Sequence, residues 1–148
     1  MGVANATIKN SVLGHQGINL IGCGLFLVEN TQINGSSLVN LRSDYGSTWE
    51  GEIVIRNCEY FPRYGAKADA VLIGGHYSGQ HDFGYTCYMP EKIKIDGLVI
   101  NDSNPPDNYQ GPKIFAVFNN DYTSETYVEK YPYMITKEIE IKNLTIKS

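Results

Sequence analysis

The sequence Ile53-Val54-Ile55-Arg56-Asn57-Cys58-Glu59-Tyr60 carries an eight-residue pattern that returns four more times along the chain. Its first, third and eighth positions are apolar, its fourth is charged and its fifth is Asn. The other copies align with it without gaps at residues 6–13, 26–33, 93–100 and 139–146. Alternation of this kind is typical of a strand with one face buried and the other in water. The repetition therefore predicts a stack of equivalent strands.

The fifth position of the pattern is Asn in four copies and Gly97 in the remaining one. The asparagines are Asn10, Asn30, Asn57 and Asn143. Asn and Gly tolerate a left-handed backbone, and Asn also bonds to its own turn, so each unit is predicted to bend at the same place. In a stack, asparagines at equivalent bends can hydrogen bond to one another. The alternative is a set of unrelated surface asparagines.

One further apolar strand lies between successive copies of the pattern. These strands are expected at residues 17–21, 38–41, 70–73 and 114–118. No segment shows a convincing helical periodicity. We predict an all-β fold, a parallel β-helix (solenoid) of about five coils with loop excursions, forming one domain over residues 1–148 that is a fragment of a longer protein. The open ends of such a stack carry unpaired edges, through which self-association is expected.

Bulk properties exclude several classes of function. The net charge of -4 and a pI near 5.3 argue against nucleic acid as a partner. No apolar run approaches the roughly 20 residues that span a bilayer, so membrane insertion is not expected. Cys23, Cys58 and Cys87 lack the spacing of a zinc site and are predicted to be plain buried or half-buried thiols. The first residues lack the features of a secretory signal, which would then lie upstream of this chain.

Three segments give the chain a resemblance to a known family. They are Ala6-Thr7-Ile8-Lys9-Asn10-Ser11, Gly14-His15-Gln16-Gly17-Ile18-Asn19-Leu20-Ile21-Gly22 and the stretch 38–49. In these the chain resembles bacterial secreted proteins of the pectate-lyase-like β-helix superfamily, and specifically their C-terminal coils. The resemblance implies a right-handed helix, an extracellular or envelope setting and a polysaccharide ligand. Activity does not follow from it, because that superfamily spans lyases, hydrolases and phage adhesins.

The densest polar and aromatic cluster is Arg42-Ser43-Asp44-Tyr45-Gly46-Ser47-Thr48-Trp49, directly after an inner strand. Arg42 could bind a uronate carboxylate through its planar fork. Asp44 could act as acid, base or Ca²⁺ ligand, which makes Ca²⁺ the one expected cofactor. Tyr45 and Trp49 could stack on a sugar ring. The alternative is an Arg42–Asp44 ion pair that locks a turn, with Trp49 covering the core.

Two histidines are candidate bases. His15, in Gly14-His15-Gln16-Gly17, is similar to the Gly-His-Gly of polygalacturonases, but the paired aspartates and Arg-x-Lys of that family are absent, so its mechanism is not transferred. His76 opens a glycine-rich segment with His81 and Asp82, whose spacing matches no familiar metal site. For both candidates, a solvated or structural histidine is the alternative.

Tyrosines are concentrated outside the repeated pattern, and two of them, Tyr77 and Tyr85, lie in the glycine-rich segment with His76. A phenol offers a flat apolar face to sugar C–H groups and a hydroxyl to sugar oxygens, so both are predicted to bind carbohydrate. The alternative for surface tyrosines is that they hold a loop against the wall of the fold.

These observations favour a secreted or cell-surface domain that handles polysaccharide, as a lyase or glycoside hydrolase acting on an acidic polymer. For a lyase the reaction is β-elimination, with Arg42 neutralising the uronate, His15 or His76 as base and Asp44 holding Ca²⁺. Two alternatives stay open, a carbohydrate-binding module without chemistry and a structural or adhesive module of the tailspike or surface-protein type.

Overall fold

The computed structural model describes residues 3–15, 18–42, 49–64, 71–76, 89–103, 105–109, 113–116 and 136–148. Within these ranges the regular structure is entirely β, and no helix is present that could cross a membrane. The strands are β1 (Val3–Lys9), β2 (Val12–His15), β3 (Ile18–Leu20), β4 (Gly22–Glu29), β5 (Gln32–Gly35), β6 (Val39–Arg42), β7 (Trp49–Pro62), β8 (Val71–His76), β9 (Lys92–Asn101), β10 (Lys113–Ala116) and β11 (Glu138–Lys147).

The strands form two sheets. Within each sheet, every pair of neighbouring strands is parallel. In the first sheet β1, β4, β7, β9 and β11 are successive neighbours, while β5 pairs with the second half of β7 and β2 pairs with β5. The second sheet has the order β10-β8-β6-β3. The prediction of an all-β fold built from parallel strands is confirmed.

The register of the first sheet is the one that the repeated pattern predicts. Cα partners of the first position run from Ala6 through Phe26, Ile53 and Ile93 to Ile139. Partners of the third position are Ile8, Val28, Ile55, Ile95 and Ile141. Partners of the eighth position are Leu13, Ile33, Tyr60, Ile100 and Ile146. Each position of the pattern is therefore a column of neighbouring side chains.

The core contains the apolar columns of the first sheet together with residues of the second. Ile53 and Ile55 of β7 are 0% exposed, as are Leu72 and Ile73 of β8, and all belong to one apolar cluster. Because successive side chains of a strand point to opposite faces, burying these columns puts the charged column between them in solvent. The core thus leaves the charged face of the first sheet free for other roles.

The bends also lie where the pattern places them. Asn10, Asn30, Asn57 and Asn143 have φ between 50° and 53°, and Gly97 has φ 77°. This is the left-handed region, which costs most L-residues roughly 1–2 kcal/mol and which Asn and Gly tolerate best. The prediction of one sharp bend per copy, made by the fifth residue, is confirmed.

A second set of left-handed residues precedes the pattern and was not predicted. Asn5, Gly24 and Gly51 have φ of 63°, 85° and 139°. Asn5 accepts a hydrogen bond from the backbone N–H of Leu25 through its Oδ1 at 2.8 Å. A Cβ at position 51 would lie 2.2 Å from the carbonyl oxygen of Gly24, so the strands can approach there only without a side chain.

Candidate functional site

An open groove with a volume of about 610 Å³ lies over the bends of the first sheet. It is lined by Asn30, Thr31, Gln32, Asn57, Cys58, Glu59, Gly97, Val99 and Asn143. Asn30, Asn57, Gly97 and Asn143 are successive bend residues, so this bend groove crosses the strands instead of following one of them. Four neighbouring bends cover about 14 Å at the usual spacing of roughly 4.8 Å between strands.

The floor of the bend groove is built from amide groups. Asn30 donates from Nδ2 to Oδ1 of Asn10 at 3.4 Å. Gly97 has no side-chain amide that could bond to Asn143 on the neighbouring strand. Asn143 donates from Nδ2 to Oδ1 of Asp96 at 2.7 Å instead. The side chain of Asn57 is exposed and forms no hydrogen bond with any described residue. A primary amide offers two donors and a strong acceptor, so Asn57 presents the groove with both kinds of partner.

The residue after each of the first three bends holds the bend in place. Ser11 Oγ donates to the carbonyl of Lys9 at 2.8 Å, and Thr31 Oγ1 donates to that of Glu29 at 2.9 Å. Cys58 repeats the contact with its thiol, which lies 3.2 Å from the carbonyl oxygen of Arg56. Hydroxyl groups that bond to the backbone two residues away are a common turn device. The thiol therefore takes the place of a hydroxyl at this position.

Burial raises the pKa of Cys58, which is 3% exposed, whereas Cys23 is exposed. The prediction of a plain buried or half-buried thiol is confirmed for Cys58 and is wrong for Cys23, whose side chain is exposed. Cys87 lies outside the described residues.

The residues that directly precede the bend residues in the sequence form a column of alternating charge, called here the charged rim, although its members do not line the bend groove. It runs Lys9, Glu29, Arg56, Asp96, Lys142, and successive members are Cα partners. Glu29 lies 3.0 Å from Lys9 Nζ and 3.2 Å from the Arg56 guanidinium. The hydrogen bond from Lys9, followed by the attraction of both cations, holds the pKa of Glu29 below its usual value. Opposite charges directly across neighbouring strands stabilise a sheet, and this rim is therefore nearly self-neutralised.

Two lining residues that follow the bends, Gln32 and Glu59, are polar and already hydrogen bonded. Gln32 donates from Nε2 to Oδ1 of Asn34 at 3.0 Å, and Asn101 donates to Oε1 of Glu59 at 2.7 Å. Each of these side chains keeps further hydrogen-bonding capacity, because an amide or a carboxylate can form several bonds. The groove thus combines donors and acceptors with little net charge, which suits a ligand rich in hydroxyl groups.

Of the predicted catalytic residues, the backbone brings two together. Arg42 ends β6, His76 ends β8, and the two are Cα partners in the second sheet. His15 ends β2 in the first sheet, where its partner is Gly35, so the register pairs it with neither Arg42 nor His76. The sequence predicts either histidine as the base that acts with Arg42, and the register of the strands favours His76.

The carbohydrate-stacking role predicted for Trp49 is wrong. Trp49 is 0% exposed, its indole Nε1 donates to the carbonyl of Gly24 at 3.0 Å, and its ring lies 6.0 Å from that of Phe26. A sugar ring cannot reach a face that is already packed in the core. The alternative, in which Trp49 covers the core, agrees with its burial.

The remaining predicted residues, Asp44, Tyr45, Tyr77 and Tyr85, lie outside the described residues, and their roles stay predictions. Among the residues that the structure does describe, no group of three His, Cys, Asp or Glu side chains could hold a metal ion. Ca²⁺ at Asp44 likewise stays a prediction.

Asp102 is buried, in contrast to the residues that follow it. Ser103 and residues 105–108 are exposed, whereas Asp102 is 7% exposed and its N–H donates to the carbonyl of Lys147 at 2.7 Å. Its Oδ1 has no hydrogen-bond partner among the described residues, and burial raises its pKa. No feature of the local sequence distinguishes it from its exposed neighbours.

Comparison with known proteins gave no match to any family model, any curated protein or any solved structure.

Proposed function

We propose that this chain is a right-handed parallel β-helix of about five coils, of the pectate-lyase-like kind, and that it holds a polysaccharide in the bend groove. The coil assignment is supported by the order of the second sheet, since β3, β6, β8 and β10 each follow one copy of the eight-residue pattern along the chain. Parallel neighbours in both sheets are what a chain that winds repeatedly in one direction produces. A secreted setting belongs to the same proposal.

The observation that carries the binding proposal is the direction of the bend groove. It crosses the strands, so its polar groups recur at the strand spacing of roughly 4.8 Å. That spacing is close to the length of one pyranose unit in an extended polysaccharide. A polymer lying along the groove would meet equivalent groups at successive units. The open amide of Asn57 and the amide of Asn143 are suited to neighbouring sugar hydroxyls, which also act as both donors and acceptors.

The charges around the groove favour a polymer of low charge as the preferred ligand. Glu29 lies between two cations and Lys142 pairs with Glu140, so the rim offers no unbalanced positive patch. An acidic polymer would find little to neutralise its carboxylates here. Affinity is therefore expected to depend weakly on salt.

Glycine substitutions at the bends test this site without straining it. Glycine keeps the left-handed backbone while removing the amide, so Asn57→Gly and Asn143→Gly together should leave the fold intact and weaken binding. Asn5→Gly is the matched control, because Asn5 is also left-handed, does not line the groove and accepts its hydrogen bond from Leu25, which does not line the groove either. Binding to neutral and acidic polysaccharides would be measured by titration calorimetry. Equal affinity of the folded double variant and the control would refute a ligand in the bend groove.

A lyase acting on an acidic polysaccharide is the second candidate, and the partnership of Arg42 with His76 favours it. In this reaction a base removes the C5 proton of a uronate, a C4–C5 double bond forms, and the bond from C4 to the glycosidic oxygen breaks. The leaving oxygen then takes up a proton. Arg42 would neutralise the uronate carboxylate, and His76 would act as the base.

The lyase reaction is followed by the 235 nm absorbance of unsaturated products, with Ca²⁺ and with EDTA, while reducing ends are measured in parallel. Product formation that is lost in both Arg42→Ala and His76→Ala but kept in His15→Ala would support this assignment. Reducing ends without absorbance would indicate hydrolysis instead. If the folded chain gives no product of either kind, the chain has no cleavage activity of its own on those polymers.

A further inference from the structure

Gly97 interrupts the column of asparagines that forms the floor of the bend groove. Asn57 on β7 and Asn143 on β11 lie on the strands to either side of it, and all three residues line the groove. Every other copy of the eight-residue pattern has an amide at this position. Because β9 has a neighbouring strand on each side, the gap that Gly97 leaves lies within the sheet and not at its edge.

The side chain of Asn57 presents an acceptor to this gap. Its Oδ1 lies 2.7 Å from the position that a Cβ of residue 97 would occupy. Where one bend asparagine follows another, as at Asn10 and Asn30, the second amide donates to Oδ1 of the first. Gly97 has no amide that could donate in this way, so Oδ1 of Asn57 has no hydrogen-bond partner among the described residues.

A second pair of Asn and Gly shows how such an acceptor is satisfied elsewhere in the chain. Oδ1 of Asn5 faces Gly24 in the same way, but it accepts a hydrogen bond from the backbone N–H of Leu25 at 2.8 Å. Leu98 follows Gly97 as Leu25 follows Gly24, yet Leu98 and Asn57 form no such bond. Of the two acceptors, the one in the bend groove is therefore open to a ligand.

An apolar side chain adjoins the gap. Val99 is half-buried, lines the groove and lies two residues after Gly97 on the same strand. Its Cα partner on β7 is Glu59, whose carboxylate already accepts a hydrogen bond from Asn101. A group that fills the gap would thus find one strong acceptor and one apolar surface.

We propose that the gap at Gly97 is a subsite for an acetamido group, and that the polysaccharide in the bend groove contains N-acetylated amino sugars. The N–H of the acetamido group takes the place of the missing amide donor and bonds to Oδ1 of Asn57, while the methyl group contacts Val99. A sugar hydroxyl supplies a donor without the methyl group, and an ammonium group brings a charge against an apolar side chain. This inference rests on the binding function proposed for the bend groove.

Three oligosaccharides that differ only at C2 test the subsite. Extended β-1,4-linked glucose hexamers can carry a hydroxyl, an acetamido or an amino group at this carbon. Their binding to the intact chain would be measured by titration calorimetry at neutral pH, at low and at high salt. One hydrogen bond and one methyl contact together predict an affinity about tenfold higher for the acetamido hexamer than for the hydroxyl hexamer, with little dependence on salt.

Two variants locate the acetamido group. Gly97→Asn supplies the missing amide and keeps the left-handed backbone that Asn holds at the other bends, so the chain should fold while the preference disappears. Val99→Thr exchanges a methyl group for a hydroxyl and should lower the preference severalfold. Val12→Thr is the matched control, because Val12 belongs to the same column as Val99 but does not line the groove.

The outcomes separate the subsite from the groove. Equal affinity for the hydroxyl and acetamido hexamers would overturn the subsite and leave binding in the groove intact. Tightest binding of the amino hexamer, lost at high salt, would also overturn it, because the charge of Glu59 would then select the ligand. So would a preference that survives in folded Gly97→Asn or, should that variant fail to fold, is undiminished in Val99→Thr. Binding of none of the hexamers would overturn the proposed function, and this inference with it.

Discussion

Asn30 donates a side-chain hydrogen bond to Asn10 at 3.4 Å, and both residues hold the same left-handed backbone. The conformation and the contact have different origins. The backbone is left-handed because the strand must turn there, and Asn accepts that geometry at lower cost than most residues. The hydrogen bond follows because equivalent bends are stacked in register. Either feature can therefore be removed without the other.

Asn57 has the left-handed backbone without the side-chain hydrogen bond, because its φ is 50° while its side chain bonds to no described residue. Asn57→Ala should lower the free energy of unfolding by about 1–2 kcal/mol, since Ala strains a left-handed backbone. Asn57→Gly should change it by less than about 1 kcal/mol. Urea denaturation measures both. Equal stability of the two variants would mean that backbone conformation does not limit residue choice at this bend.

Trp49 is the only tryptophan of the chain and lies wholly in the core. Its fluorescence should be blue-shifted, protected from iodide and unchanged when a polysaccharide binds. Trp49→Phe should lower the free energy of unfolding by about 1–3 kcal/mol, because the buried carbonyl of Gly24 would lose its indole donor. Quenching by bound sugar would instead indicate that the ring takes part in binding.

Glu29 should make stability fall in acid. Its pKa is lowered in the folded chain by Lys9 and Arg56, so its stabilising effect is complete above the ordinary glutamate pKa near 4.5 and is lost as the pH falls through the lower folded value. Glu29→Gln should therefore flatten the loss of stability below about pH 4.5. Melting temperatures of both proteins from pH 7 downward provide the measurement. High salt should weaken the effect, and identical pH profiles would exclude a contribution from this pair of contacts.

The two described cysteines should differ in reactivity. Cys23 is exposed, whereas Cys58 is buried, has a raised pKa and directs its thiol at the backbone. In a Cys87→Ser background, the thiol of Cys23 should react rapidly with a disulfide reagent, and the thiol of Cys58 should react only upon unfolding. Cys58→Ser should stay folded, because Ser11 already forms the equivalent contact. Rapid labelling of both thiols in the folded chain would contradict this view of the bend.

The strand columns and bends could be predicted because each depends on local sequence. Alternation with a period of two fixes which face is buried, and residues such as Asn57 mark a left-handed turn by their type alone. The alternating sign of the fourth column was equally visible once the copies were aligned. The alternation gains its meaning from the register, which makes successive charges Cα partners.

The errors concern contacts between segments far apart in sequence. Trp49 resembled a binding residue because it follows a polar stretch, and its burial depends on Gly22, its Cα partner, where a Cβ would lie 2.9 Å from the ring. The bend at Gly24 and Gly51 went unseen because it precedes the aligned pattern. The partnership of Arg42 with His76 requires the register of β6 and β8, which spacing along the chain does not determine.

The alternating column of Lys9, Glu29, Arg56, Asp96 and Lys142 also bears on how such a chain can change length in evolution. Losing the single repeat between Glu29 and Asp96 would place two acids side by side, whereas losing two successive repeats would restore opposite neighbours. We therefore expect insertions and deletions of whole repeats to be tolerated in even numbers more readily than in odd ones. Comparing the stability of chains shortened by one repeat and by two would reveal this parity, and equal losses per repeat would disprove it.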